Sequence, residues 1–355
     1  MRIVVTGASG NVGSALLRRL VPSGKHEVVG VARRPPTNGH PFGGVQWVSL
    51  DLASGASAHA LPGVFRAADA VVHLAWGFQP SHDVGYLQAL GVGGTRRVLE
   101  AAASVRVPHL VHMSSVGAYS PKVDNNPVDE SWPTNGVPTS PYSRHKSAAE
   151  RLVDDVERLN PSTAVTRLRP GIIGQRSAGS SLLRYGIPAA VPAAWIGRLP
   201  VLPLDRQLVV PMVHADDVAA AIERVLLTRT PGAFNLSAEP PVTASHVASV
   251  LDARLVHVPA PVIRTAMSLA WHARLQQVDP GWLDLGYAAP LMDSTKARQQ
   301  LAWAPRVDAI SVLSEIVEGM RQGASDRTAV LRPRTVAQQV ARLLRRGPIS
   351  QRRLP

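Results

Sequence analysis

The chain has 355 residues, of which 45% are hydrophobic and 18% charged, a composition typical of soluble globular proteins. It contains no cysteine, which excludes disulfides and thiolate metal ligands, and the spacing of its 12 histidines predicts no metal site. The formal net charge is +13, but nine arginines and one aspartate from residue 321 onward account for +8 of it. The basic character is therefore local to the C-terminal segment, and we expect no nucleic-acid partner.

Two features bear on localisation. The first predicted strand begins at residue 2 and leaves no room for a signal peptide. The longest apolar stretch, residues 186–203, is interrupted by four prolines and carries Arg198, whereas a spanning helix needs about 20 apolar residues. We therefore expect a cytoplasmic protein without a transmembrane segment.

The first half of the chain alternates strand-like and helix-like segments, the pattern of a parallel sheet wound with helices. Short β-branched or apolar runs predict strands, and amphipathic segments predict helices between them. The predicted strands are residues 2–6, 27–32, 46–50, 70–75, 109–114 and 164–169, and the predicted helices are residues 12–20, 95–103 and 142–159. The predicted fold class is α/β, a Rossmann-type doubly wound parallel sheet with a smaller C-terminal substrate lobe.

After residue 172 the alternation ends, and proline-rich segments separate the predicted elements. These are helices at residues 216–227, 244–254, 262–276 and 307–321 and a short strand at 233–236. We expect residues 1–172, with parts of 205–240, to form a dinucleotide-binding domain. Residues 173–320 would mainly form the substrate lobe, and residues 321–355 an arginine-rich tail with a short basic amphipathic helix at 338–346.

A glycine-rich turn joins the first predicted strand to the first helix. Glycine there lets the backbone approach a pyrophosphate, and the N-terminus of the helix provides free N–H groups and a favourable dipole. The spacing Gly-x-x-Gly-x-x-Gly differs from the Gly-x-Gly-x-x-Gly fingerprint, but its position after a strand favours a cofactor site. The residues predicted to contact the cofactor are Gly7, Ser9, Gly10, Asn11, Val12 and Gly13.

The end of the second strand distinguishes the two nicotinamide cofactors. An acid there would bind the ribose of NAD, whereas arginine accommodates the 2′-phosphate of NADP. This chain has Arg33 and Arg34 and no acid, which favours NADP and leaves NAD as the alternative. After the third strand, Asp51 and Leu52 are candidates for the adenine edge, although Asp51 is equally suited to cap a turn.

Leu74 and Ala75 end the fourth strand, where the backbone passes the cofactor. His73 precedes them, and its simpler interpretation is that it is only a residue of the strand.

Tyr142 and Lys146 lie four residues apart on a predicted helix and share one face. An ammonium beside a phenol favours the phenolate, so we expect Lys146 to lower the pKa of Tyr142. The tyrosine then exchanges a proton with an alcohol or alkoxide while hydride moves to or from the nicotinamide. Ser115, at the carboxyl end of the fifth strand, is placed to bind the same substrate oxygen.

These motifs resemble the extended short-chain dehydrogenase/reductase family, also described as the NAD-dependent epimerase/dehydratase family. The resemblance covers residues 1–320 and rests on residues 6–13, 71–75, 94–95, 114–115, 142 and 146, 167–171, 213–218 and 301–305. It implies that Ser115, Tyr142 and Lys146 are catalytic and that Lys146 also holds the nicotinamide ribose. It further implies that Pro170, Ile172 and Ile173 lie near the nicotinamide.

Three departures from the family pattern are informative. Val116 and Gly117 follow Ser115 where sugar-nucleotide dehydratases carry an Asp-Glu pair. The asparagine common in epimerases soon after the sixth strand is missing, and Gly91 replaces another asparagine before Gly94. Apolar residues at 187–204 and 262–271 predict either core or the lining of a hydrophobic pocket.

The sequence therefore predicts an NAD(P)-dependent oxidoreductase that interconverts a carbonyl and a secondary alcohol on a fairly apolar small molecule. A nucleotide-sugar epimerase with tightly bound NAD is the alternative, and a non-catalytic NADP-sensing protein is the second. A homodimer through the helices beginning near Val84 and Tyr142, and weak peripheral membrane contact by the basic tail, are further expectations.

Overall fold

In a computed structural model of the chain, the structure describes residues 1–37, 39–77, 81–186, 193, 196 and 200–334. Its strands are β1 Arg2–Thr6, β2 Glu27–Ala32, β3 Val45–Ser49, β4 Ala70–His73, β5 His109–Met113, β6 Ala164–Pro170, β7 Ile172–Gly174, β8 Val201–Leu204, β9 Val209–His214, β10 Gly232–Leu236, β11 Ala238–Thr243 and β12 Arg254–His257. Its helices are α1 Asn11–Leu20, α2 Ser57–Phe65, α3 Val84–Gln88, α4 Gly94–Ser104, α5 Pro141–Leu159, α6 Gly179–Gly186, α7 Ala215–Thr228, α8 Ala244–Val250, α9 Ala260–His272, α10 Gly281–Ala288, α11 Thr295–Leu301 and α12 Ala309–Arg321.

The central sheet has seven parallel strands in the order β10-β6-β5-β4-β1-β2-β3. Strand order reverses between β1 and β4, which is where a doubly wound sheet opens a crevice at the carboxyl ends of its strands. The predicted α/β class and parallel sheet are confirmed.

Helices cover both faces of this sheet and divide the core into two clusters. On one face α1 and α7 pack together, with Leu16 and Ile222 fully buried. On the other face α2, α4 and α5 enclose Val98, Leu110 and Val153. Burial of both faces explains why the strands read as continuous apolar runs.

The later part of the chain forms smaller sheets, β11-β9-β7 and β12-β8, beside the central one. The predicted helix 244–254 is wrong at its end, because α8 stops at Val250 and Arg254 begins β12. Helix α9 has no fully buried residue, and Val262 and Leu269 are exposed, so these two side chains do not form core, while the pocket lining expected for this stretch stays a prediction.

The first part of the predicted arginine-rich tail packs against α6. The hydroxyls of Ser180 and Ser181 donate to the carbonyls of Gly323 and Val330, each at 2.6 Å. Leu331 is only 1% exposed. The predicted basic helix at 338–346 and most of the apolar stretch 187–199 lie outside the described residues. Among the helices that are described, none is long and apolar enough to cross a membrane.

Candidate active site

The glycine turn between β1 and α1 is built by close backbone approach. A side chain on Gly7, whose φ is +72°, would lie 2.7 Å from the backbone nitrogen of Ala75. A side chain on Gly13 would lie 2.4 Å from the carbonyl oxygen of Gly7. Both glycines are therefore required by the fold, since no larger residue fits between these backbone segments.

Gly10 differs from these two, because a methyl group there would meet only the Gly7 oxygen, at 3.2 Å. Gly10 also precedes α1 without a side-chain cap, so the first N–H groups of the helix have no side-chain acceptor from the capping position. A glycine with no other neighbour than this oxygen, beside the uncapped N-terminus of a helix, fits the phosphates of a dinucleotide.

The neighbouring residues of this turn have divided roles. The Asn11 amide donates to the Ile173 carbonyl at 3.3 Å, and its side-chain oxygen accepts from Gln175 at 2.7 Å. Asn11 therefore ties the turn to β7 and keeps only its backbone for an anion. Ser9 is buried, and Val12, the second residue of α1, belongs to the core. This link places Ile173 beside the glycine turn. The position of Pro170 and Ile172 near the nicotinamide stays a prediction.

At the end of β2, Arg33 Nη1 donates to the Tyr86 hydroxyl at 2.5 Å. Burial lowers the pKa of Arg34, and the charges of Arg33 and Arg332 lower it further. This clustering of like charges favours an anion as partner. After β3, Asp51 accepts from the Ala53 backbone at 2.9 Å, which is the turn-capping role.

Leu52 is buried in the core, and its carbonyl accepts from Arg97 at 2.7 Å. Leu74 and Ala75, which follow β4, lie directly against Gly7. Their contact with a cofactor stays a prediction.

Ser115 and Tyr142 are brought together at the carboxyl end of β5. The Ser115 hydroxyl accepts from the Gly117 backbone at 3.0 Å and is hydrogen-bonded to Tyr142. A side chain on Gly117 would lie 2.8 Å from Cε1 of Tyr142, so the glycine that departs from the dehydratase pattern makes room for the phenol ring. Ser143 fixes the start of α5, donating to the Gly117 carbonyl and accepting from the Val137 backbone, each at 2.6 Å.

Lys146 is 2% exposed, and its Nζ donates to the Met113 carbonyl at 2.9 Å. The ammonium lies 3.7 Å from the ring centroid of Trp76. Burial lowers the pKa of Lys146 to about 7, while the charge of Glu150 acts in the opposite direction.

The expectation that Lys146 lowers the pKa of Tyr142 is wrong for this geometry. Burial raises the pKa of Tyr142 to about 12, and the hydrogen bond with Ser115 is the influence that opposes it. The phenol packs between two indoles, with ring centroids 4.7 Å from Trp282 and 6.3 Å from Trp76. Tyr142 therefore holds its proton at neutral pH.

A buried polar network that the sequence did not predict joins α5 to the sheet. Arg169 donates to both carboxylate oxygens of Glu150, at 2.9 and 3.1 Å, and to the Tyr119 hydroxyl at 3.1 Å. Tyr119 in turn donates to Asn235 at 2.7 Å. One signal was available, because Glu150 follows Lys146 by four residues and so shares its helix face.

The histidines near the site have structural contacts. His73 bridges the Thr6 and Thr95 hydroxyls at 2.7 and 3.0 Å, and burial lowers its pKa to about 3, which supports a role in the strand. His214 caps α7 by accepting from the Asp216 backbone. Within the described ranges, no group of three or more metal-ligating side chains is present.

Comparison with known proteins gives a consistent family. A family model described as "NAD dependent epimerase/dehydratase family" matches residues 3–237. An uncharacterized protein of Mycobacterium tuberculosis is 27% identical over 323 residues, which cover 90% of this chain and 30% of that protein. The chain therefore spans less than a third of the length of that relative.

Two curated relatives carry names of activities. A ceramide reductase of Caulobacter vibrioides is 28% identical over 304 residues, covering 82% of this chain and 84% of that protein. A UDP-glucose 4-epimerase of Mycolicibacterium smegmatis is 33% identical over 162 residues, covering 42% of this chain and 49% of that protein.

Among solved structures, a UDP-glucose 4-epimerase of Thermotoga maritima with UDP-glucose superposes with a TM-score of 0.68 at 20% identity, covering 91% of this chain and 99% of that one. A dTDP-glucose 4,6-dehydratase of Streptomyces venezuelae gives a TM-score of 0.66, also at 20% identity, and covers 91% and 97%. At these identities the likeness shows the fold.

Proposed function

The chain belongs to the NAD dependent epimerase/dehydratase family, and on that premise we propose that it is an NAD(P)-dependent oxidoreductase that interconverts an apolar carbonyl compound and its secondary alcohol. In this proposal residues 1–172, with parts of 205–240, bind the dinucleotide, and residues 173–320 contribute most of the substrate lobe. The observation that carries the proposal is the contact between Ser115 and Tyr142, one helical turn from Lys146.

A bound nicotinamide dinucleotide would supply the hydride to the carbonyl carbon, or accept it from the alcohol carbon. The residues that would hold it are Gly10 and the N–H groups at the start of α1, Arg33 and Arg34, and the backbone of Leu74 and Ala75. In the reducing direction Tyr142 donates its proton to the substrate oxygen, and Ser115 binds the same oxygen. A tyrosine with a pKa of about 12 carries its proton at neutral pH and can donate it to the substrate oxygen in this direction.

Two observations support an apolar substrate. Tyr142 and Trp282 pack against a cluster that includes Val116 and Leu285, so the surroundings of the reacting phenol are hydrophobic. The similarity to a ceramide reductase over most of both chains agrees with reduction of an apolar carbonyl.

The arginines at the end of β2 support NADP as the preferred cofactor. Arg33 is held by Tyr86, and Arg34 lies in the field of Arg33 and Arg332, an arrangement that a 2′-phosphate would neutralise. NAD is the alternative, and the Streptomyces venezuelae dehydratase, whose solved structure has NAD bound, shares only the fold with this chain.

A nucleotide-sugar epimerase is the second candidate, favoured by the similarity to UDP-glucose 4-epimerases in sequence and fold. The two candidates differ in the fate of the cofactor, because a reductase consumes it stoichiometrically and an epimerase regenerates it within each turnover.

The test is to incubate the purified protein with NADPH and a panel of apolar ketones and aldehydes, with UDP-glucose in parallel. We expect NADPH oxidation coupled to alcohol formation, and a kcat about 10²–10⁴-fold lower in Tyr142→Phe. Conversion of UDP-glucose without net change in cofactor would identify an epimerase instead. Tight NADPH binding with neither reaction would favour the sensing protein.

A homodimer through the helices that begin near Val84 and Tyr142, α3 with its continuation into α4 and α5, is a further part of the proposal. Sedimentation equilibrium of the purified protein tests it.

A further inference from the structure

Trp76 lies between the two parts of the proposed site. Its neighbours Leu74 and Ala75 border the glycine turn, and its own ring covers the ammonium of Lys146 at 3.7 Å from the ring centroid. A cation within about 6 Å of an indole face is attracted by the negative charge of the ring face.

Among the described residues, Lys146 has few other partners. Nζ donates to the Met113 carbonyl, and the nearby Glu150 carboxylate is engaged by Arg169 through two hydrogen bonds. A buried ammonium without a dedicated counter-ion tends to lose its proton. The face of Trp76 therefore replaces part of the stabilisation that a carboxylate would give.

The chain also makes room for this indole at Gly91. A methyl group there would lie 3.1–3.3 Å from Cζ2, Cη2 and Cε2 of Trp76, closer than ordinary van der Waals contact. Gly91 lies in a π-helical turn, Ala89–Gly93, and its carbonyl accepts from the Thr95 hydroxyl at 2.6 Å. Such turns are uncommon within helices and frequently occur at functional sites.

We infer that Trp76 is a positioning residue of the active site, which holds the side chain of Lys146 in its charged form through its ring face and for which Gly91 supplies the space. The inference rests on the proposed function for its catalytic meaning. It makes a physical prediction about Lys146 that does not need turnover.

Lys146 is suited to direct measurement because the chain has only four lysines, at positions 25, 122, 146 and 296. The protein labelled with ¹³C-lysine would be titrated by NMR, and Lys146→Met would identify the resonance. We expect the pKa of Lys146 to fall by about half a unit to one and a half units in Trp76→Leu, which keeps an apolar side chain but removes the ring. Trp76→Phe keeps a ring and should largely retain the parent pKa.

The groups that face Lys146 are common to parent and variants. They are Tyr142 and Glu150 on α5, His73 on β4 and His112 on β5, with Arg169 acting through Glu150. Any difference between Trp76→Leu and Trp76→Phe therefore reports the ring. An unchanged or raised Lys146 pKa in Trp76→Leu would overturn the inference, because the indole would then act only by excluding water.

A double-mutant cycle tests the role of Gly91. Gly91→Ala should displace the indole and lower the pKa of Lys146, whereas the same change in Trp76→Phe should have little effect, since the smaller ring leaves room for the methyl group. Additive effects would contradict the complementarity of the two positions.

The pH dependence of turnover provides a second, independent test of the role of Trp76. If the protein reduces a carbonyl and the charged Lys146 holds the nicotinamide ribose, as the family resemblance implies, the rate should fall with rising pH as Lys146 loses its proton, and Trp76→Leu should move this fall to lower pH. The control variant is Trp47→Phe, because the Trp47 indole packs against Gly30 of β2. It should leave the pH profile of the rate unchanged. Failure of turnover in the parent would count against the proposed function alone, because the NMR titration would still decide the role of Trp76.

Discussion

Glu150 and Arg169 form a buried ion pair in which Nε and Nη2 of the arginine lie 2.9 and 3.1 Å from the two carboxylate oxygens. The pair joins α5 to β6. It therefore fixes the helix that carries Tyr142 and Lys146 against the sheet. Burial alone would raise the pKa of Glu150, but the hydrogen bonds and charge of Arg169 hold it below its ordinary value of 4.5.

Glu150→Gln is expected to destabilise the protein by about 3–5 kcal/mol, because it leaves the charge of Arg169 buried and unpaired. The lowered pKa also makes this contribution dependent on pH. It is present above the unfolded-state pKa near 4.5 and is lost as the pH falls through the folded-state value. Urea unfolding at neutral and acidic pH should show a smaller acid-induced loss of stability in the variant than in the parent.

Glu157→Gln is the matched control on the same helix. Glu157 pairs with Arg167 at 2.8 Å, but its side chain is 41% exposed. We expect its free energy of unfolding to change by about 1 kcal/mol or less. Equal losses in the two glutamine variants would contradict the role assigned to the buried pair.

Arg33→Ala/Arg34→Ala should weaken NADPH binding by at least about 100-fold, because each of the two lost charge-assisted hydrogen bonds to the 2′-phosphate contributes about 1.5–3 kcal/mol. NADH lacks this phosphate, so its affinity should hardly change. Titration of nicotinamide fluorescence with both cofactors measures the difference. A parent protein that prefers NADH would refute the NADP assignment.

Gly10→Ala and Gly13→Ala should fail in different ways. A methyl group at Gly13 would lie 2.4 Å from the Gly7 oxygen, so we expect a large loss of thermal stability. At Gly10 the methyl group would make one tight contact, 3.2 Å from the Gly7 oxygen, and would enter the space proposed for the phosphates, so the Tm should fall less than in Gly13→Ala while NADPH affinity falls. Thermal melts and cofactor titration on both variants separate these effects. Retained NADPH affinity in a folded Gly10→Ala would contradict the proposed phosphate site.

Trp282→Leu should raise KM for an apolar carbonyl substrate by about three- to tenfold, because the indole that packs 4.7 Å from the Tyr142 ring forms part of the proposed substrate wall. Trp282→Phe keeps an aromatic wall and should have a smaller effect. Steady-state kinetics on both variants provide the measurement. A change in kcat alone would instead indicate that Trp282 acts by orienting Tyr142.

Several parts of the molecule were predictable from local sequence. The β-branched runs at residues 2–6 and 27–32 became β1 and β2, and the glycine spacing at 7, 10 and 13 became the turn before α1. Tyr142 and Lys146 share a helix face because helical spacing alone sets it. These features depend on backbone conformation and periodicity, which neighbouring residues control.

Other parts depended on contacts between segments distant in sequence. The position of Trp76 over Lys146 requires the loop after β4 to lie against α5, and no local pattern contains that distance. The same holds for Glu150 with Arg169, and for the segment after Arg321 that packs on α6.

The sequence by itself determined the parallel α/β fold, the glycine turn and the order of Ser115, Tyr142 and Lys146, because these are set by local conformational preference and by the apolar periodicity of each element. The tertiary structure alone decided the electrostatics of the site. The direction expected for the pKa of Tyr142 was wrong, since the loss of water around a phenol packed between two indoles exceeds the influence of its neighbours. Desolvation is a property of the assembled core, and it becomes defined only when segments far apart in the chain close around the same group.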